Sequence, residues 1–182
     1  LELVGKQDRI EHCLEVIQQE GFLSDCGKAG RKRRVRVDVK SLDIKVTHAS
    51  EIIEMGEAPG QAIRKKKNSS IVLTVNSVAT GSSDALVAAG STGAAMASSL
   101  FGLGRIPGID RPAIAVTLPT MKKPIVIIDG GANSNCTPQM LKQFAIMGQT
   151  FSKNVLGIEN PRVGVLNIGE EAGKGNELAQ QT

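Results

Sequence analysis

Aromatic side chains are scarce in this chain of 182 residues, which has four phenylalanines, no tyrosine and no tryptophan. Proteins that bind single-stranded nucleic acid without sequence preference stack the bases on aromatic rings. The composition therefore disfavours a nucleic-acid-binding protein of that kind. It also predicts a hydrophobic core built mainly from aliphatic side chains.

Cysteine and histidine are rare as well. The cysteines, Cys13, Cys26 and Cys136, are widely spaced, and the histidines are His12 and His48. The number of cysteines is odd and no CxxC pair occurs, so the sequence predicts neither a disulfide framework nor a zinc site. This usage is typical of a protein of the reducing cytoplasm and predicts no bound metal.

A long uncharged apolar run is the third absence. The stretch with the lowest charge, 85–104, is interrupted by Gly90, Ser91, Thr92 and Gly93. It is shorter and more polar than the roughly 20 apolar residues of a membrane-spanning helix. We therefore interpret it as a strand, a turn and a buried helix.

Glycine and basic residues are what the chain has in quantity, with 20 glycines, a net charge of +4 and a pI near 9.1. Much of the positive charge lies in two runs, 31–36 and 64–67. Such runs favour an acidic partner, such as nucleic acid, an anionic membrane surface or an acidic protein. The alternative is that each run is simply a solvated face.

Apolar periodicity divides the chain into alternating elements. The predicted helices are 7–20, 48–55, 69–80, 94–103, 138–151 and 176–182; the predicted strands are 1–4, 35–39, 42–47, 84–89, 112–118, 124–128 and 163–168, with a surface loop over 24–34. Strands that alternate with helices imply right-handed crossovers. We expect one α/β domain over 1–182, a three-layer, doubly wound and mostly parallel sheet covered by helices on both faces.

Three glycine-rich turns follow predicted strands, at the sheet edge where open α/β folds bind ligands. In the first, Gly90, Ser91, Thr92 and Gly93 precede a helix whose free N–H groups suit phosphate. The alternative is a tight turn in which Thr92 caps the helix. No Gly-Lys-Ser/Thr follows, so the turn is not a Walker A loop.

The second turn runs from Asp129 through Gly131 and Asn133 to Thr137-Pro138, which are predicted as the cap and first residue of the next helix. Its polar groups face the predicted cleft, or Asp129 and Asn133 only hydrogen-bond their own turn. Cys136 is either a nucleophile, activated by the helix N-terminus, or a small buried thiol.

The third turn covers 167–176 and contains, besides Glu171, the candidates Asn167, Gly169, Glu170, Lys174 and Asn176. Lys174 could hold an anion, while Glu170 or Glu171 could act as a base or orient another group; the alternative is surface charge around a turn. Before the strand at 112–118, Arg111 could bind phosphate with two hydrogen bonds or pair with Asp110. We expect the three turns to converge on one pocket.

These motifs resemble the bacterial phosphate acyltransferase family of phospholipid synthesis, known as PlsX. The matching segments are 48–55, Pro59 with 62–66, 69–70, 90–94, 104–109, 111–113, Asp129 with 131–133, 143–145, 147–148 and 161–178. The chain looks like the middle of the family sequence, a fragment without the opening strand and the large C-terminal part. Three positions depart from the family pattern: Ser91 stands where it usually has asparagine, Ser134 where it has valine, and Asn135 where it has aspartate.

The resemblance implies transfer of a long acyl group from the thioester of acyl carrier protein to inorganic phosphate. It also implies the fold of isocitrate and isopropylmalate dehydrogenases, a homodimer, and loose attachment to the cytoplasmic face of the membrane. Phosphate is already a nucleophile at neutral pH, so this reaction requires neither cofactor nor metal.

On this interpretation Asp129, Asn133 and Lys174 are the catalytic candidates, with Asn133 or backbone N–H groups stabilising the oxyanion. Phosphate and substrate are assigned to Gly90, Ser91, Thr92, Gly93, Arg111, Gly131, Asn167, Gly169, Glu170 and Asn176. Since the carrier protein is acidic, Arg33, Arg34, Lys65 and Lys66 are predicted to dock it. The alternatives are a phosphotransacetylase-like enzyme that uses coenzyme A, and a basic binding module without activity.

Overall fold

The computed structural model describes residues 1–25, 32–169, 171 and 173–182, with backbone alone at 22–25 and 32–33. The chain forms two compact units, unit 1 (Leu1–Leu103) and unit 2 (Gly104–Thr182). We describe each unit by itself. The single domain expected over 1–182 stays a prediction.

The described residues of unit 1 form two small sheets and four α-helices. In chain order its elements are β1 (Glu2–Gly5), α1 (Gln7–Glu20), β2 (Phe22–Asp25), β3 (Lys32–Val35), a 3-10 turn (Val39–Ser41), β4 (Lys45–His48), α2 (Pro59–Lys65), α3 (Ser70–Ala79) and α4 (Thr92–Gly102). Strands β1 and β4 pair in parallel, with Leu3 opposite Val46. Strands β2 and β3 pair antiparallel, with Phe22 opposite Val35.

The core of unit 1 lies where its helices meet, and two glycines permit their close approach. A methyl group at Gly93 of α4 would lie 2.7 Å from the Cγ of Pro59, the first residue of α2. A methyl at Gly102, the last residue of α4, would overlap the Val75 side chain of α3, which is 1% exposed. The absence of a side chain at each position therefore lets α4 contact both neighbouring helices.

Several predictions for unit 1 are confirmed and others are wrong. Helix α1 has the predicted bounds, and α3 lies within the predicted 69–80. The segment 48–55 is extended rather than helical, because Glu51 instead bridges to Ser69 in parallel. The predicted strand 84–89 has no regular structure; Val87 there is 95% exposed, and no described strand pairs with it. The loop predicted over 24–34 contains the ends of β2 and β3.

A charged cluster joins β1 to distant parts of unit 1 through the Glu2 carboxylate. It accepts hydrogen bonds from Thr47 Oγ1 at 2.6 Å and Ser77 Oγ at 2.8 Å, and it forms an ion pair with Lys45 Nζ at 3.0 Å. These contacts, the Thr47 bond first, lower the pKa of Glu2 from its ordinary value of 4.5 to about 2. The carboxylate thus stabilises the fold in its ionised form.

We expect this cluster to make stability depend on pH in acid. Because the folded pKa of Glu2 is the lower one, its contribution is present above pH 4.5 and is lost as the pH falls toward 2. The Glu2→Gln variant should therefore be less stable than the parent at pH 7 and lose less stability over this acid range. Urea unfolding midpoints measured from pH 7 to pH 2 test this. Glu15→Gln, at an exposed position on α1, is the control, and parallel curves for parent and Glu2→Gln would contradict the prediction.

Unit 2 is built around one long helix. Its elements are β5 (Val116–Leu118), β6 (Ile125–Ile127), α5 (Pro138–Asn154) and α6 (Glu177–Gln181). Strands β5 and β6 form an antiparallel hairpin, because no helix lies between them in the sequence. Helix α5 carries the buried residues of the unit, namely Met140, Gln143, Phe144, Gly148 and Ser152.

The predicted last strand of unit 2 is wrong. Residues 163–168 form no strand, and Leu166 and Ile168 are 92% and 89% exposed. The apolar run predicts a strand only if neighbouring strands pair with it, and no strand of the described residues does so. The doubly wound sheet consequently stays a prediction for the family fold.

Candidate functional site

The turn after β6 is organised by the carboxylate of Asp129. Its Oδ1 accepts hydrogen bonds from the backbone N–H groups of Ile114 at 2.8 Å and Ala132 at 3.1 Å. Its Oδ2 accepts from the N–H of Asn133 at 2.7 Å and from the Asn133 amide at 3.0 Å. Asp129 therefore closes its own turn and also ties it to the segment before β5.

The ionised form of Asp129 is favoured by these bonds. Partial burial by itself raises the pKa of this carboxyl, but the hydrogen bonds from Ile114, Ala132 and Asn133 together lower the pKa below its ordinary value of 3.8. If Asp129 were protonated, all four hydrogen bonds to its carboxyl group would be weaker. This makes Asp129 a fixed anion that positions the turn, a role for which no proton transfer is needed.

Two N–H donors close to Asp129, the Asn133 amide and the Gly131 backbone, differ in whether they already form hydrogen bonds. The Asn133 amide donates to the Pro112 carbonyl at 2.9 Å as well as to Asp129, so both of its hydrogens are used. Gly131 is exposed, adopts a φ of +112°, and its N–H makes no hydrogen bond to the described residues. Among the described residues, the backbone N–H of Gly131 is therefore free to donate to an oxyanion, whereas the Asn133 amide is already engaged.

The end of the same turn starts α5 as predicted. Thr137 is the N-cap, its hydroxyl accepting the N–H of Met140 at 3.3 Å, and Pro138 is the first helical residue. Cys136 is half-buried, with its Sγ 3.9 Å from the carbonyl oxygen of Asn133. Both histidines lie in unit 1, and no imidazole of unit 2 is available to activate this thiol.

Arg111 is exposed beside this turn. No ion pair of the described residues joins it to Asp110, whose backbone carbonyl instead accepts a hydrogen bond from Arg105 at 2.6 Å. Asp110 is held to α5 by Gln143, which donates to its carboxylate at 3.1 Å. The guanidinium of Arg111 is thus available for a phosphate.

The glycine turn before α4 belongs to unit 1. The suggested cap of this helix, Thr92, is wrong. Ser91, and not Thr92, is the N-cap, because its hydroxyl accepts the N–H of Ala94 at 3.3 Å. Thr92 is the first residue of the helix and is exposed, as is Gly90. The N–H groups of the first helical turn have no carbonyl partner within a helix, so those of Thr92 and Gly93 remain suited to an anion.

The third turn, 167–176, is held by asparagine side chains. Asn167 donates to the Lys174 carbonyl at 2.9 Å and accepts the Ile168 N–H at 2.8 Å. Gly175, with a φ of +101°, lies against Asn167 so closely that a side chain there would overlap it. Asn176 caps α6 by accepting the Ala179 N–H at 2.9 Å. The Lys174 side chain is exposed, and Glu170 lies outside the described residues.

Within the described part of unit 2, no hydrogen bond joins the Asp129 turn to this third turn. A shared pocket for the three turns therefore stays a prediction. In the same described ranges, no three His, Cys, Asp or Glu side chains are grouped as metal ligands, and no helix is long and apolar enough to cross a membrane.

The residues predicted to dock the carrier protein differ in their exposure and in their contacts within the chain. Lys65 is exposed, but Lys66 is bound to the Glu57 carboxylate and to the Ile52 carbonyl at 2.7 Å. Arg34 donates to the Glu20 carbonyl at 3.0 Å, while the side chain of Arg33 and the start of its basic run lie outside the description. Lys66 therefore serves the local fold, and Lys65 is the better candidate for a partner contact.

Comparison with known proteins decides the family. A model of the family described as "Fatty acid synthesis protein" matches residues 31–182. The chain belongs to this family. A protein of Desulforamulus reducens named phosphate acyltransferase is 58% identical over 97% of the chain, and one of Heliobacterium modesticaldum with the same name is 49% identical over 97%. One of Desulfitobacterium hafniense is 54% identical over 76%. The resemblance to the PlsX phosphate acyltransferases is confirmed.

The chain spans less than half of these relatives, covering 46% of the Desulforamulus reducens protein and 47% of the Heliobacterium modesticaldum protein. The match to the family model, over residues 31–182, nevertheless includes the Asp129 turn and the third turn. Sequence reasoning missed two members of the first of these sites, Ile114 and Pro112, which contribute only backbone atoms. Because every residue type has a backbone carbonyl and nearly every type has an N–H, such partners cannot be recognised from the sequence.

Proposed function

We propose that this chain is part of an enzyme that transfers a long acyl group from acyl carrier protein to inorganic phosphate, giving acyl phosphate for phospholipid synthesis. The observation that carries the proposal is the 58% identity, over 97% of the chain, to a protein named phosphate acyltransferase. The family's fatty acid synthesis description agrees with an acyl substrate.

In the proposed reaction a phosphate oxygen attacks the thioester carbonyl, and a tetrahedral oxyanion forms. The carbon–sulfur bond then breaks, and the thiolate leaves with the carrier protein and takes up a proton from water. Phosphate needs cations to bind and a fixed position to react, since alignment alone is worth about 7–11 kcal/mol. The exposed guanidinium of Arg111 and ammonium of Lys174 supply positive charge, and the Gly131 N–H supplies an oxyanion donor.

Asp129 enters this proposal as a positioning residue. Its carboxylate fixes Ala132 and Asn133 and thereby the backbone of Gly131, which lies between Asp129 and Ala132. In unit 1, taken by itself, the N–H groups of Thr92 and Gly93 are suited to bind an anion. The doubly wound fold, the homodimer, the docking of carrier protein at Lys65 and loose membrane attachment remain parts of the proposal that rest on the family resemblance.

The proposal is tested with a long-chain acyl thioester of acyl carrier protein, incubated with the purified protein with and without inorganic phosphate. We expect thioester loss that requires phosphate, and an acyl hydroxamate when hydroxylamine traps the acyl phosphate. Loss that is the same without phosphate would reject the proposal. Equal use of the coenzyme A thioester would favour the phosphotransacetylase-like alternative.

A further inference from the structure

A buried amide on α5 holds the loop of unit 2 that leads to Arg111. Gln143 is 7% exposed. Its Oε1 accepts the backbone N–H of Asp110 at 2.9 Å, and its Nε2 donates to the Gly108 carbonyl at 3.0 Å and to the Asp110 carboxylate at 3.1 Å. A glutamine amide has one oxygen and two N–H donors, so both ends of this side chain are engaged by the loop.

The loop has little other support. Residues 104–111 form neither helix nor strand, and two of them, Gly104 and Gly108, adopt positive φ values of +82° and +84°. Within the loop, the Ile109 N–H donates to the Ile106 carbonyl at 3.0 Å. Among the described residues, the hydrogen bonds of Gln143 are the ones that join 104–111 to a helix or strand. Gln143 therefore fixes the loop relative to α5.

Arg111 lies between two tethered residues. Asp110, before it, is held by Gln143, and the carbonyl of Pro112, after it, accepts the Asn133 amide at 2.9 Å. Asn133 belongs to the turn that Asp129 organises. The Arg111 side chain itself is exposed and forms no ion pair with a described residue. The backbone of Arg111 is thus fixed on both sides, while its guanidinium stays free for a ligand.

We propose that Gln143 is a positioning residue for phosphate, which sets the place of the Arg111 guanidinium beside the Asp129 turn. This inference rests on the proposed function, in which Arg111 binds phosphate. A guanidinium binds phosphate with two parallel hydrogen bonds, so its direction matters as well as its charge. Because Gln143 is buried and its amide is engaged by the loop, it acts through Arg111 and not by contact with phosphate.

Steady-state kinetics of the Gln143→Met variant test the proposal. Methionine keeps an unbranched side chain but has no amide to hold the loop. We expect the KM for inorganic phosphate to rise on the order of tenfold, because the two bonds from Arg111 are misaligned. The kcat and the KM for the acyl thioester should stay within about twofold, as for a loss of uniform binding. A merely structural role would lower the active fraction, and so kcat, without changing the KM for phosphate.

Gln149→Met is the matched control, since it makes the same change at an exposed position of α5. It should change no kinetic constant more than about twofold. Circular dichroism shows whether each variant is folded. If Gln143→Met is not, Gln143→Asn decides, because its stem is one methylene too short to make all three bonds, and it should raise the KM for phosphate at least about threefold. An unchanged KM for phosphate in the folded variant would overturn the proposal.

A double variant shows whether Gln143 acts through Arg111. Arg111→Gln should itself raise the KM for phosphate, and adding Gln143→Met to it should raise this KM no further, since the group that Gln143 positions is already gone. Effects that multiply would mean that Gln143 acts by another route, and would overturn the proposal.

Calorimetric titration with inorganic phosphate alone separates this inference from acyl transfer. We expect saturable binding by the parent, weakened on the order of tenfold in Gln143→Met and in Arg111→Gln. That result would support the positioning role even if the thioester assay rejects acyl transfer. Conversely, no saturable binding by the parent, or equal affinity of parent and Gln143→Met, would overturn this inference while the thioester assay still judges the proposed function.

Discussion

The Asp129→Asn variant is expected to lose about 3 kcal/mol of unfolding free energy, since hydrogen bonds to a charged group contribute roughly 1.5–3 kcal/mol each. The asparagine side chain of the variant keeps one oxygen as an acceptor. Its NH₂ group takes the place of the other oxygen and points toward N–H groups that donate to a carboxylate in the parent. Ile114 and Ala132 both donate to Oδ1 and Asn133 donates twice to Oδ2, so whichever oxygen is replaced by NH₂, two donors then face a donor. Urea unfolding at neutral pH measures the loss.

The same substitution should reduce acyl phosphate formation about hundredfold, because a shift of about 1 Å in a reacting or stabilising group can cost that much. The shift here is that of the Gly131 backbone, which the Asp129 bonds to Ala132 and Asn133 fix. Asn135→Ala is the matched control: it lies in the same turn, is exposed, and has no described side-chain hydrogen bond. An Asp129→Asn variant as stable and active as Asn135→Ala would show that the carboxylate positions nothing.

Acid should reproduce part of this loss in the parent protein. The pKa of Asp129 is lowered below 3.8, so its contribution is complete above that pH and disappears as the pH falls through the lower folded value. Asp129→Asn has no such carboxyl to protonate. Its stability should therefore fall less steeply than that of the parent below pH 3.8.

Truncation of Phe144 to alanine is expected to be the most destabilising change in unit 2. Phe144 is 1% exposed on α5, and removing a buried phenylalanine typically costs 3–5 kcal/mol because a cavity remains. The cost should be near the upper end if neighbouring side chains cannot move into the space. Thermal or urea unfolding of the variant measures it.

Ile146→Ala is the control for Phe144→Ala. It removes apolar atoms from the same helix two residues away, but Ile146 is 55% exposed. We expect a loss of less than about 1 kcal/mol there, since most of its surface is in water in both states. Similar losses for the two variants would mean that α5 does not carry the core of this unit.

Local signals predicted α1, α3, α4 and α5 to within a few residues, but they placed a helix at 48–55 that is absent and missed α2. Helix α1 has its predicted bounds because its apolar residues recur at helical spacing and Gly21 ends it. Thr137 and Pro138 mark the start of α5 by residue type alone, as a hydroxyl cap and a proline that needs no donor. Pro59 is likewise the first residue of α2, but its N-cap, Ala58, has no side-chain acceptor, and the Gly and Pro residues of 56–60 predicted a loop instead.

Strands and long-range partners were not predictable in the same way. The run 163–168 is apolar enough for a strand, but a strand forms only where another pairs with it, and its exposed residues have no such neighbour in the described chain. In the candidate site, the alternative that Asp129 bonds its own turn proved right for Ala132 and Asn133. Its bond to Ile114, 15 residues away, depends on the tertiary fold.

Helix α4 is fixed at both ends, by Gly93 against Pro59 and by Gly102 against Val75. Ser98 lies between these anchors, so neither sliding nor rotation of the helix can carry its hydroxyl away without separating a close contact. Enlarging either glycine would therefore displace α4 and disturb the packing around buried Ser98, a residue that the new side chain does not touch.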